Sequence, residues 1–150
     1  MRVLVTGGLG FVGSHLVDYL VEKNSADEIV VIDNLSSESS SRDYMRDDVT
    51  YWVDDIANLN TYRYSNEKFD VIYHLAALAR IQPSFKDPLK YLNIDMMGTA
   101  HVCELARSCN AKIVKGINTA VPVLLTLSGG INIIIKLTIT NVIVIPILIL

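Results

Sequence analysis

Thr6-Gly7-Gly8-Leu9-Gly10-Phe11-Val12-Gly13 decides how this chain is read. Before it, Met1 to Thr6 is a short apolar run with strand character. After it, an apolar helical segment extends to about Lys23, and Ile29-Val30-Val31-Ile32 forms a second strand ending at Asp33. Strand, glycine turn, helix, strand and acid follow in the order of a βαβ unit built to hold a dinucleotide.

Each part has a physical task. Gly7 lets the backbone turn sharply out of the strand, where a Cβ would clash. Gly10 leaves room for a pyrophosphate beside the main chain, and Gly13 lets the helix approach the strand. The first helical turn offers N–H groups and the positive end of the helix dipole to phosphate. Asp33 stands 20 residues after Gly13, where its carboxylate can accept hydrogen bonds from ribose hydroxyls. That charge would repel a 2′-phosphate, so NAD is expected rather than NADP. The competing reading of the glycines is a tight βα turn in another kind of α/β protein.

The chain has 150 residues, the size of one domain. Its net charge of −3 gives no electrostatic case for nucleic acid. Cys103 and Cys109 lack metal-ligand spacing and fit a reducing, cytoplasmic setting. The N-terminus lacks the basic-then-apolar pattern of a signal peptide. No metal site is expected.

Along the chain, Val12, Leu16 and Leu20 form a helical stripe expected to face a sheet. His15 in that helix reads as structural. Asn34 to Arg46 is a serine-rich connection, with Asn34, Leu35 and Ser36 placed to line an adenosine. Val49 to Val53 is the third strand, followed by Asp55 and Ile56. Asp55 suits either an adenine amino group, with Ile56 packed on the base, or the cap of the next helix. Asp70 to Ala77 is a fourth strand running into small residues, which would let a cofactor lie close. His74 at its end is expected to be packed or hydrogen-bonded. Arg80 to Lys86 reads as a polar connection. Asp87-Pro88 then starts a helix to about Cys109, with Leu89, Leu92, Met96, Ala100 and Cys103 on its apolar face and Gly98 marking close packing. Ala111 to Val114 opens a fifth strand. The alternation predicts an α/β fold, a Rossmann-like doubly wound parallel sheet of order 3-2-1-4-5, ending after strand five, with its crevice between strands 1 and 4.

These residues resemble a known family. Thr6 to His15, Val31 to Ser36, Asp55-Ile56 and His74-Leu75-Ala76-Ala77 are similar to the extended short-chain dehydrogenase/reductases, nearest the nucleotide-sugar epimerases and dehydratases. The run Asp33-Asn34-Leu35-Ser36 is similar to the UDP-glucose 4-epimerase type. The resemblance covers residues 1 to about 114 and implies NAD as cofactor and a nucleotide sugar as the intact parent's substrate. It assigns Gly7, Gly10, Phe11, Val12 and Gly13 to the pyrophosphate, and Asp33 and Asn34 to the adenosine ribose. It assigns Asp55 and Ile56 to adenine, and Leu75, Ala76 and Ala77 to the nicotinamide half. A homodimer is kept as a candidate assembly.

The chain departs from that family in three places. Ala79 and Arg80 stand where the epimerases carry a lysine, and Asp95 replaces an asparagine. After strand five the family has Tyr-x-x-x-Lys, whose phenolate takes a proton from a sugar hydroxyl while hydride passes to NAD. No tyrosine follows Tyr91 here, so no catalytic residue is assigned.

The domain division expected is 1–115 for the NAD-binding unit and 116–150 for an atypical apolar tail. Ile117 to Ile135 carries no charge, and Lys136 is the last one in the chain. The tail reads as the product of a frameshift or truncation, as a set of buried strands, or as a membrane segment interrupted by Pro122 and Gly129-Gly130. The function expected is the cofactor-binding half of an epimerase or dehydratase (an isomerase or a lyase), inactive alone. The alternative is a non-catalytic cofactor- or partner-binding module that associates through its tail.

Overall fold

Strand β1 (Arg2–Thr6) is the middle of the sheet, and its alternating side chains build two cores. Leu4 enters a cluster with Ile72, Val102 and Ile113, while Val3 and Val5 enter another with Val17, Leu20 and Val31. All three β1 residues are completely buried, and each contributes roughly 1.5–3 kcal/mol by leaving water. Burial on both faces is why the strand lacks polar alternation. The structure, a computed structural model, describes residues 1–38, 40–59, 64, 66–78, 80–116 and 142–145.

Helix α1 (Phe11–Glu22) joins β1 to β2 (Glu28–Asp33). A 3-10 turn at Arg42–Tyr44 precedes β3 (Thr50–Val53), and another at Ile56–Asn58 follows it. Next come β4 (Val71–His74), the short helices α2 (Ile81–Lys86) and α3 (Pro88–Leu92), α4 (Gly98–Cys109) and β5 (Lys112–Gly116). All pairings are parallel, and the order 3-2-1-4-5 is the one expected. Strand β6 (Val142–Ile145) lies outside β5, also parallel. Residues 117–141 and 146–150 lie outside the described residues, and with them the readings made of Ile117–Ile135. Among the described residues, no helix is long and apolar enough to cross a membrane.

Two expected helix faces are corrected. In α1 the buried residues are Gly13, Ser14, Val17 and Leu20, and Val12 is exposed. Gly13 packs against the backbone of Gly7 and Gly8 in the turn after β1, and Val12 beside it faces outward. The polar connection expected at Arg80 to Lys86 contains α2. Asp87 then caps α3, its carboxylate accepting from Lys90 N–H at 3.3 Å, with Pro88 in the first turn. A π turn at Asn93–Met97 joins α3 to α4. The buried face there is Tyr91, Asp95, Gly98, Thr99, Val102, Leu105 and Ala106. Leu89 and Ala100, expected inside, are exposed. The π turn inserts a residue and shifts the period, and two members of the true face are polar. Gly98 does mark close packing: a Cβ there would meet Ile56 Cδ1 at 2.4 Å.

Candidate dinucleotide site

The carboxyl ends of the first four strands open on a cleft of about 660 Å³ where the strand order reverses. Gly7, Gly10, Phe11, Val12 and Gly13 line it from the β1–α1 turn, and Asp33 and Asn34 from the end of β2. Asp55 and Ile56 line it beyond β3, and Leu75, Ala76 and Ala77 beyond β4. The fold thus brings all twelve sequence-predicted residues to one cavity. Leu35 does not join them; it takes a left-handed φ of 56° and packs toward the α1-side core.

The turn is built by backbone contact. Gly7 adopts φ +72°, and a Cβ on it would lie 2.7 Å from Ala76 N. Its N–H donates to Ile32 O at 2.8 Å, and Gly10 N–H donates to Gly7 O at 3.2 Å. Gly10 is the N-cap of α1, and among the described residues no side chain caps that end. The helix therefore presents backbone donors and dipole to the cleft, an arrangement suited to an anion. Phe11 and Val12 flank it, both exposed.

Asp33 is almost wholly buried at the end of β2. One carboxylate oxygen accepts from Leu9 N–H at 3.0 Å and the other from Leu35 N–H at 2.8 Å. Each oxygen keeps a further acceptor position. Asn34 donates through Nδ2 to Asp55 Oδ2 at 2.7 Å, and Asp55 Oδ1 accepts from Ala57 N–H at 2.8 Å. Asp55 therefore caps the 3-10 turn Ile56–Asn58 while also facing the cleft, so the two sequence readings of it are compatible.

Several cleft residues went unseen in the sequence. Glu38 and Arg80 form a two-point ion pair, at 3.0 and 2.5 Å, between the loop after β2 and the start of α2. Both line the cleft, and both are largely exposed, so solvent screens the pair and it adds little to the stability of the fold. They are 42 residues apart and carry no local signal. Ala79 lies outside the described residues. The spacing Tyr-x-x-x-Lys occurs at Tyr19/Lys23 and Tyr64/Lys68, but neither pair lines the cleft. Tyr64 donates to Asp54 Oδ2 at 2.7 Å and Lys68 to Ser108 O at 3.3 Å, while Lys23 stands over the Tyr19 ring. Among the described residues no group of His, Cys, Asp and Glu is arranged for a metal ion.

Beneath the β4 end lies a buried polar chain. Ala76 N–H donates to Thr6 Oγ1 at 3.1 Å, and Thr6 Oγ1 lies 2.8 Å from His74 Nδ1. His74 Nε2 lies 3.0 Å from Thr99 Oγ1, which also accepts from Lys115 Nζ at 3.1 Å and donates to Asp95 O. Asp95 Oδ1 accepts from Leu78 N–H at 2.8 Å. Burial pushes the Asp95 carboxyl up and the Lys115 ammonium down. Burial, then the nearby Lys115, lowers His74 from 6.5 to about 3. The unfolded chain therefore takes up a proton at His74 that the folded chain refuses. Stability from this residue is intact above 6.5 and falls with pH toward 3, by about 1.4 kcal/mol per pH unit. The raised Asp95 opposes this at lower pH, so the window from about 6.5 to 5 is the one to read. Urea unfolding across it should show that slope in the native chain and lose it in His74→Gln; equal slopes would disprove the assignment.

The parallel sheet, the glycine turn at an uncapped helix and the acid after β2 define a Rossmann-type dinucleotide fold. Residues 4–120 match the family model described as GDP-mannose 4,6 dehydratase, and the chain belongs to that family. A UDP-glucose 4-epimerase of Bacillus subtilis is 32% identical over 119 residues, covering 75% of this chain and 34% of its own length. The Thermus thermophilus UDP-glucose 4-epimerase, solved as a complex with NAD, superposes with a TM-score of 0.69 at 28% identity, covering 77% of this chain and 37% of that one. A dTDP-glucose 4,6-dehydratase from Streptomyces venezuelae, solved with NAD and TYD bound, gives 0.69 at 25% identity, covering 77% and 39%. The chain spans about a third of the length of the curated relatives it matches.

Proposed function

We propose that this chain is the NAD-binding half of a nucleotide-sugar epimerase or dehydratase. The parent reaction is a transient, NAD-dependent oxidation of a sugar ring carbon. The observation that carries the reading is Gly10. Its φ of −80° is open to any residue, and among the described residues a Cβ there would touch only Gly7 O, at 3.4 Å. The fold does not need a glycine at this position, but a diphosphate resting on the α1 N-terminus does.

On this reading Gly7, Gly10, Phe11, Val12 and Gly13 hold the pyrophosphate. Asp33 and Asn34 take the adenosine ribose, Asp55 and Ile56 the adenine, and Leu75, Ala76 and Ala77 the nicotinamide half. NAD, when bound, supplies the hydride acceptor. The described residues place no tyrosine–lysine pair of the family spacing at the cleft, so residues 1–115 bind and orient without carrying out proton transfer. The NAD-bound relatives and the shared family support this assignment.

Calorimetric titration tests it. NAD should bind the full chain, and Asp33→Ala should weaken it by on the order of tenfold to a hundredfold, the effect of losing charge-assisted hydrogen bonds. No binding, or equal binding by the variant, would sink the reading. Turnover of a UDP- or GDP-sugar by the purified chain would overturn its inactivity.

A further inference from the structure

The polar chain under the β4 end can be read hydrogen by hydrogen. Thr99 has one hydroxyl hydrogen, and Asp95 O receives it. Thr99 Oγ1 is then an acceptor for its other partners, Lys115 Nζ and His74 Nε2. Nε2 must carry the imidazole proton, which leaves Nδ1 bare. Thr6 therefore donates its hydroxyl to Nδ1 and keeps its oxygen for Ala76 N–H. Every hydrogen in the chain has one destination, and the order runs from Ala76 through Thr6, His74 and Thr99 to Asp95.

The members come from each layer around the site. Thr6 and His74 are register partners on β1 and β4, Asp95 and Thr99 belong to the π turn and α4, and Lys115 is His74's register partner on β5. Thr6, His74 and Thr99 are all buried. Among the described residues, Lys115 is the charged group acting on the imidazole, and Cys103 and Asp95 in turn act on Lys115. An imidazolium would aim an N–H at Thr6 Oγ1, which already receives Ala76 N–H, and would stand near the Lys115 ammonium. The neutral Nε2–H form is the one that satisfies every partner.

We infer that His74, buried beneath the cleft, is a positioning residue for the cofactor: it orients Thr6, and Thr6 fixes the backbone at Ala76 on which the nicotinamide half rests. The second anchor of the same floor is Asp95, through Leu78 N–H. The inference rests on the NAD reading above and adds residues that never touch the ligand.

Two measurements on the full chain test it. In histidine-labelled protein, nitrogen NMR should show His74 as the Nε2–H tautomer, without titration from about pH 8 to 5. In calorimetry, Thr6→Val and Thr99→Val should weaken NAD binding by on the order of tenfold, since each leaves a buried donor or acceptor unpaired. Thr6→Ser, which keeps the hydroxyl, should restore native affinity. An Nδ1–H tautomer, or variants that bind NAD as the native chain does, would overturn the inference. If a valine variant fails to fold, the tautomer and the other variant still decide. A native chain that binds no NAD defeats the proposed function instead, and the NMR result stands apart from it.

Discussion

Gly13→Ala should destabilise the chain by about 3 kcal/mol, although alanine is the better helix former by about 1 kcal/mol. The added Cβ would lie 2.1 Å from Gly7 O and 2.6 Å from Gly8 Cα. Both are backbone atoms of the turn that precedes the helix, so no side-chain rotation relieves the overlap. α1 would have to lift away from β1. Val17 and Leu20 would then lose contact with Val3, Val5 and Val31, the core they share. Steric exclusion outweighs helix propensity here because a methyl group cannot be shared with a carbonyl oxygen. A loss of that size lowers Tm by roughly 10 °C in a chain of this length. Thermal melting followed by circular dichroism measures it; an unchanged or higher Tm would show that the helix is not held by this contact.

The close approach at Gly13 explains what could be read from the sequence. The β1–α1–β2 unit is local: turn, helix and acid lie within 33 residues, and each leaves its own mark in residue type. The same holds for Ala76 and Ala77, whose small size is itself the signal. Asp87-Pro88 marked a helix start for the same reason. The face of the following helix was not legible, because the π turn breaks the period and Asp95 and Thr99 are polar residues facing inward. The chain through Thr6, His74, Thr99 and Lys115 was equally hidden. Its members come from four separate elements: strand register aligns Thr6, His74 and Lys115, and the packing of α4 brings Thr99 to them. One clue was present: His74 ends an otherwise apolar strand, and a buried polar side chain there requires partners. The Glu38–Arg80 pair had no such clue, since an exposed acid and an exposed arginine look the same paired or apart.

Gly10→Val should do the reverse of Gly13→Ala: keep the fold and lose the ligand. Gly10 takes an extended backbone conformation with φ −80° and ψ 172°, which valine adopts readily. Among the described residues, Gly7 O, at 3.4 Å, is the one atom a Cβ would approach, an ordinary contact distance. The cost to stability is confined to replacing glycine by a poorer N-cap residue, about 1 kcal/mol at most. In the cleft the same side chain stands on the helix N-terminus, where the diphosphate must reach the backbone donors. It blocks that approach and removes the benefit of the dipole together, for a combined loss of about 3 kcal/mol, or roughly a hundredfold in Kd. Calorimetry with NAD and a parallel thermal melt separate the two effects. Loss of binding with a near-native melt shows that the glycine serves the ligand. Native affinity in the folded variant would mean that the diphosphate does not lie on α1. A collapsed melt would mean that the fold itself requires the glycine.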